Sequence, residues 1–219
     1  MTKNTRLTLA VAAALVLLIT GLLAVNRPDE PRATPANGDV DAAVLVREDS
    51  HRLSTAADGK VTLVEFLDFE CESCAAAYPA IKQILATYQD RITFVVRYFP
   101  ISSHPNAELA ARAAQAAANQ GRFPDMYVQL FENQTSWSHK NDPQTEVFLG
   151  YARTLGLDMT RFQRDLDNPA TAARVAKDRT DGHAAGVTGT PTFFLNGRQL
   201  TDVRTQDDLV AAIDAALAG

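Results

Sequence analysis

A β-branched, apolar run, Val61–Leu67, passes within three residues into the step Cys71-Glu72-Ser73-Cys74. A stretch follows in which Cys74, Tyr78, Ile81, Leu85 and Tyr88 keep helical spacing. The first run is short enough for a buried strand, and the second has the period of a helix with one apolar face. Ile92–Val96, inside the segment Arg91–Phe99, predicts a second core strand. The order strand, C-x-x-C, helix, strand is a βαβ unit with the cysteines at the C-terminal end of its first strand, where open α/β sheets collect reactive groups. Pro79 interrupts the helical stretch and is expected to kink it.

The chain has two cysteines, and both lie in that step. A sulfur at a helix start meets unpaired N–H groups and the positive end of the helix dipole, which favour its thiolate. A disulfide between residues three apart closes a very small loop, so its contribution to stability is small and a purely structural role explains it poorly. Half of a zinc site is the other alternative, but no second C-x-x-C and no His-x-x-x-His is present.

The first 26 residues read as a separate unit. Lys3 and Arg6 precede an uncharged run from Leu7 to Val25, 19 residues that span roughly 28 Å as a helix, about one hydrocarbon thickness. The run is longer than the apolar core of a cleaved leader and ends without a clear Ala-x-Ala. Residues 1–26 are therefore expected to be a cytoplasmic N-terminus and transmembrane signal anchor, oriented by Lys3 and Arg6 with the remainder outside. Residues 27–43 are expected to be an extended linker, given Pro28, Pro31, Pro35 and Gly38. Residues 44–219 suit one domain. Setting aside Lys3 and Arg6, 19 Lys+Arg face 26 Asp+Glu without any basic run, so nucleic-acid binding has no support. Outside a membrane the surroundings are oxidising, and cysteines there normally pair.

Val44–Ser54 has a mixed pattern compatible with an edge strand. Residues 101–185 read as almost wholly helical, in segments near Ala107–Asn119, Phe123–Glu132, Pro143–Leu155, Asp158–Leu166 and Pro169–His183. Asn133–Asn141, with the single Trp137, reads as a loop among them, and Trp137 itself as core. Thr192–Leu195 predicts a strand, Asn196-Gly197 a hairpin turn, Arg198–Leu200 its return, and Asp207–Leu217 a terminal helix.

Glu65, Cys71-Glu72-Ser73-Cys74, Pro79 and Thr190-Pro191-Thr192-Phe193, taken together, resemble the thioredoxin superfamily and, within it, the DsbA-like thiol–disulfide oxidoreductases. The block at 101–185 is similar to the DsbA-like helical insertion. Phe99-Pro100, His104-Pro105 and Gln120-Gly121-Arg122-Phe123 look like membrane-anchored bacterial members. The fold class expected is α/β, a thioredoxin fold with a helical insertion, preceded by an N-terminal transmembrane helix.

The resemblance implies that Cys71 is the nucleophile and Cys74 the resolving thiol. It implies that Glu65 is a buried acid able to take the Cys74 proton. It also implies that Pro191 is cis against the cysteine pair, leaving Thr190 to hydrogen-bond an extended substrate. Glu72 and Glu70 would raise the Cys71 pKa if they faced the sulfur, and would have no such effect if they faced water. His51, His104, His139 and His183 read as surface or satisfied polar residues, with His183 alone close in sequence to the Pro191 loop.

The function expected is disulfide formation in exported proteins, at the periplasmic or outer face of the cell membrane. It would need no cofactor, and reduced or unfolded exported proteins would be the substrates. The chain is expected as a monomer, reoxidised by a quinone-linked membrane partner of the DsbB or VKOR-like kind. A reductase or isomerase using the same pair is the alternative. A copper- or zinc-binding domain that is not an enzyme stands further off, because Met126 and Met159 are distant in sequence.

Overall fold

The computed structural model describes residues 40–219; the expected anchor and most of the expected linker, within residues 1–39, lie outside the described residues. Among the described residues no helix is long and apolar enough to cross a membrane.

The segment expected as one edge strand divides in two. Asp41 accepts a hydrogen bond from the Ala43 N–H and caps a single helical turn, α1 (Ala42–Leu45). Only His51–Ser54 is extended, as β1. An Asx side chain that caps a helix competes with extended structure, and Asp41 lies before the segment first read as strand. β2 (Thr62–Leu67) follows, then α2 (Glu72–Tyr88), a 3-10 turn (Gln89–Arg91) and β3 (Thr93–Tyr98). α2 is one 17-residue helix that continues through Pro79, and its buried residues are Cys74, Tyr78, Ile81, Ile84 and Tyr88.

Five helices then separate β3 from the rest of the sheet: α3 (Ala107–Ala118), α4 (Phe123–Glu132), α5 (Gln134–Trp137), α6 (Thr145–Thr154) and α7 (Met159–Asp167). α8 (Pro169–Ala184) brings the chain back to β4 (Thr192–Leu195), β5 (Arg198–Gln199) and α9 (Gln206–Ala218). The stretch around Trp137, expected as loop, holds the short α5. The indole is fully buried against Phe148, 5.0 Å between centroids, and donates to the Leu130 carbonyl.

The sheet order is β1-β3-β2-β4-β5, with β2 and β3 parallel and the other pairs antiparallel. Side chains alternate across it. Leu63 and Leu67 of β2 join Phe94, Val96 and Tyr98 of β3 in a core shared with α2 and the insertion. Val64, Phe66, Val95 and Phe194 form a second core with Leu45, Phe99 and Val187 on the other face. Arg97 lies on that second face, fully buried, and donates to Asp178 and Asp181 of α8 and to the carbonyls of Val44 and Leu45. Arg47 also pairs with Asp181, and Arg174 with Asp178 and Asp49. A buried charge is tolerated only when paired in this way, and the network fastens residues 44–49 to α8. At the other end of the sheet the Val40 N–H donates to Gly197 O in the β4–β5 turn, and the Asn196 N–H donates to Thr62 O at the start of β2.

Candidate active site

β2 ends at Leu67, and three residues carry the chain round to α2. Asp68 shapes that turn. Its carbonyl accepts the Cys71 N–H, and its carboxylate accepts the Glu70 N–H at 2.8 Å. Cys71 is the N-cap of α2 and offers no side-chain capping bond, so the first-turn N–H groups remain for its sulfur. Gln134 of α5 is buried under the loop and donates to the carbonyls of Phe69 (2.8 Å) and Cys71 (2.9 Å). The insertion thus holds the cysteine loop from below.

Cys71 and Cys74 are both free thiols and both buried, with Cys71 6% exposed. From the β4 side the Cys71 thiol meets the Thr190 carbonyl, Sγ to O 3.4 Å. The Thr190–Pro191 peptide bond is cis. The buried Thr190 hydroxyl has no hydrogen-bond partner in the fold.

The two thiols are electrostatically unequal. The Cys74 thiol, donating to Cys71, is the largest influence on Cys71. Burial opposes it, but Thr190 and the N–H groups of Cys74 and Ser73 help it, and the Cys71 pKa falls to about 5. Burial pushes the Cys74 thiol well up, and its bond to Cys71 and the charge of Glu65 push it further. Glu65 lies on the same face of β2 as Leu63 and Leu67, with Val96 and Phe193 opposite it on the flanking strands. It is 1% exposed, one carboxyl oxygen has no partner, and burial raises its pKa to about 8. It is therefore a neutral acid at pH 7, in a central strand rather than at an edge.

The two carboxylates beside the cysteines adopt neither arrangement considered from sequence as a common fate. Glu70 is fully buried but turned into the insertion, where it accepts the N–H groups of Asn106 (2.6 Å) and His139 (2.7 Å). Glu72 is 72% exposed and pairs with His139 Nε2 at 2.9 Å. Neither is among the largest influences on the Cys71 thiol, and its pKa moves down rather than up.

The histidines divide between core and site. His51 stacks on Phe123 and bonds Gln115, and the exposed His183 lies edge-on against Phe99 at the rim of the second core. His104 and His139, separated from Cys71 in sequence by more than thirty residues, lie with their rings 5.5 Å apart beside the cysteine loop. From sequence these two read as surface or satisfied polar residues without a place at the site, and Asp68 and Gln134 drew no reading. The one local sign was an Asp directly after an apolar strand, a residue type that favours turns by bonding its own backbone. Among the described residues no cluster of three or more His, Cys, Asp or Glu side chains is arranged to hold a metal ion.

A family model described as Thioredoxin matches residues 52–215. The solved structure of a thioredoxin-like oxidoreductase from Silicibacter pomeroyi DSS-3 is similar at 29% identity and a TM-score of 0.68, over 82% of this chain and 99% of that one. The thiol–disulfide exchange protein alpha-DsbA2 from Wolbachia pipientis shares the fold at 21% identity and a TM-score of 0.66, over 79% and 90% of the two chains. A protein named Na(+)/H(+) antiporter NhaA 1 from Salinispora arenicola is 35% identical over 214 residues, which is 95% of this chain and 32% of that protein. The chain thus spans about a third of the length of that curated relative, and the antiporter name describes the longer protein.

Proposed function

This chain belongs to the thioredoxin family, among its DsbA-like thiol–disulfide oxidoreductases, and from that premise we propose that it donates a Cys71–Cys74 disulfide to reduced exported proteins. The observation that carries the direction is the inequality of the two thiols. A dithiol whose helix-N-terminal member ionises near pH 5 is stabilised in its reduced form at neutral pH, so the corresponding disulfide is oxidising.

A substrate thiolate attacks Cys71 Sγ, and the Cys71–Cys74 bond breaks. Cys74 departs as a thiolate in an apolar site that disfavours it, and the protonated Glu65 carboxyl supplies its proton. A second substrate thiolate attacks the substrate sulfur of the mixed disulfide. Cys71 leaves as the stable thiolate, and two electrons have passed from substrate to enzyme. In this proposal Thr190, on the β4 side of Cys71, hydrogen-bonds an extended segment flanking the reacting cysteine, with little demand on its sequence; its contact with the Cys71 thiol supports that reading. The same proposal has residues 1–26 anchoring the chain to the membrane, with a quinone-linked protein of the DsbB or VKOR-like kind reoxidising the pair.

Equilibration of the pair in glutathione buffers tests the direction. The expected reduction potential is about −120 to −180 mV; a value near about −270 mV would make the chain a reductase.

A further inference from the structure

We infer that His104, aligned by Asp68, sets a positive charge against the Cys71 thiolate from the insertion side, and that one of the two protons released by the substrate thiols resides on His104 in the reduced protein. This deepens the proposed function and rests on Cys71 being the nucleophile.

Asp68 joins the two groups. Its carbonyl holds the Cys71 N–H, while its carboxylate holds the Glu70 N–H (2.8 Å), the Ile101 N–H (2.9 Å) and His104 Nδ1 (2.7 Å). One buried side chain therefore fixes the backbone of the cysteine loop and the imidazole together. The His104 N–H donates to Ile101 O, and the His104 ring meets that of His139, whose Nε2 pairs with Glu72, the first residue of α2. Both imidazoles thus lie along the start of α2, while Thr190 closes it from the β4 side. Within the C-x-x-C step, Glu72 and Ser73 supply no positive charge.

The groups facing His104 are Asp68, Glu70 and Cys71, with Glu72 beyond the His139 ring. With Nδ1 committed to Asp68, the proton to be gained sits on Nε2. Burial opposes protonation of His104, but the Asp68 bond and the charges of Asp68, Cys71 and Glu70 outweigh it, and its pKa lies above the ordinary histidine value.

The redox step then balances without a proton left over. Two substrate S–H bonds break and a substrate disulfide forms. The enzyme disulfide accepts two electrons, Cys74 takes its proton from Glu65, one substrate proton restores the Glu65 carboxyl, and the other ends on His104 Nε2 beside the Cys71 thiolate. His104 acts on the sulfur through its field and is a positioning charge, not the nucleophile's base by contact.

The test uses the full chain. In the reduced chain the Cys74 thiol is held well above its ordinary value, so the low-pH thiolate absorbance belongs to Cys71, and its titration is compared with and without His104→Gln. The expected result is a Cys71 ionisation constant weaker by about fivefold or more in the His104→Gln chain, with a smaller change in His139→Gln. No low-pH thiolate in the reduced parent chain would overturn both the nucleophile assignment and this inference. A normal thiolate unmoved by His104→Gln, or moved as far by His139→Gln, would overturn this inference alone. A second readout needs no substitution. Coupling is reciprocal, so the His104 imidazole followed by NMR is expected to titrate at higher pH in the reduced chain than in the oxidised one; equal midpoints would overturn the inference.

Discussion

Replacing Glu65 by Gln measures what it costs to seal a carboxyl into the sheet face beneath the cysteine pair. Burial alone raises the pKa of Glu65 from 4.5 to about 8 in the folded chain, whereas in the unfolded chain it ionises at the ordinary value. Between about pH 4.5 and about pH 8 the unfolded state has lost this proton and the native state keeps it. The unfolded state then binds fewer protons, so stability falls as pH rises through that window and is level outside it. Three to four pH units at a little over 1 kcal/mol each amount to roughly 5 kcal/mol. That is a large part of the 5–15 kcal/mol by which a domain is typically stable. Glutamine keeps the shape and cannot ionise. The assay is urea unfolding of the reduced chain at intervals from pH 5 to pH 9, followed by the fluorescence of Trp137, the only tryptophan and fully buried. The Glu65→Gln chain is expected to gain on the parent by a little over 1 kcal/mol per pH unit up to about pH 8, other titrations cancelling in the comparison. Parallel stability curves would refute the assignment of Glu65 as a neutral acid at pH 7.

Two further substitutions probe the second core. Gly182 of α8 lies against aromatic rings, and a Cβ there would meet Phe99 Cδ2 at 2.7 Å and Phe66 Cδ1 at 3.1 Å. Gly182→Ala is expected to destabilise by about 1–2 kcal/mol, because overpacking exceeds the helix-propensity gain; a raised melting temperature would refute the contact. Arg97→Ala strips Asp178 and Asp181 of a fully buried partner and is expected to cost about 3–5 kcal/mol. It should also open residues 44–49 to limited proteolysis, and an unchanged cleavage rate would refute the fastening role of the network.

Much of the fold lies in local patterns. The strand, cysteine step and helix at 61–88 announce themselves because apolar period, helix start and sulfur chemistry fall in adjacent residues. The hairpin at Asn196-Gly197 is equally local, with Asn196 and Gly197 both at positive φ. Glu65 stood out as a lone acid among Val, Leu and Phe, which is how a buried acid looks in sequence. The site's support from the insertion was not legible. Asp68, His104, Glu70, Asn106, Gln134 and His139 make hydrogen bonds across 36 to 69 residues of chain, and no period or spacing encodes those bonds. The carboxylates at 70 and 72 show the same limit: they stand two apart in sequence, yet one is fully buried and the other open to water. Helical composition at 101–185 indicated how much insertion there is. It did not indicate that α5 would reach back to hold the loop before Cys71.

The bond from Val40 to the β4–β5 turn has a steric consequence for substrate access. That turn abuts the start of β2, whereas Cys71 follows its end. A six-residue strand is roughly 20 Å long, so whatever precedes Val40 joins the domain at the pole remote from the reactive sulfur. Under the proposed function, a reduced client would dock at the cysteine pole, at the far end of β2 from Val40.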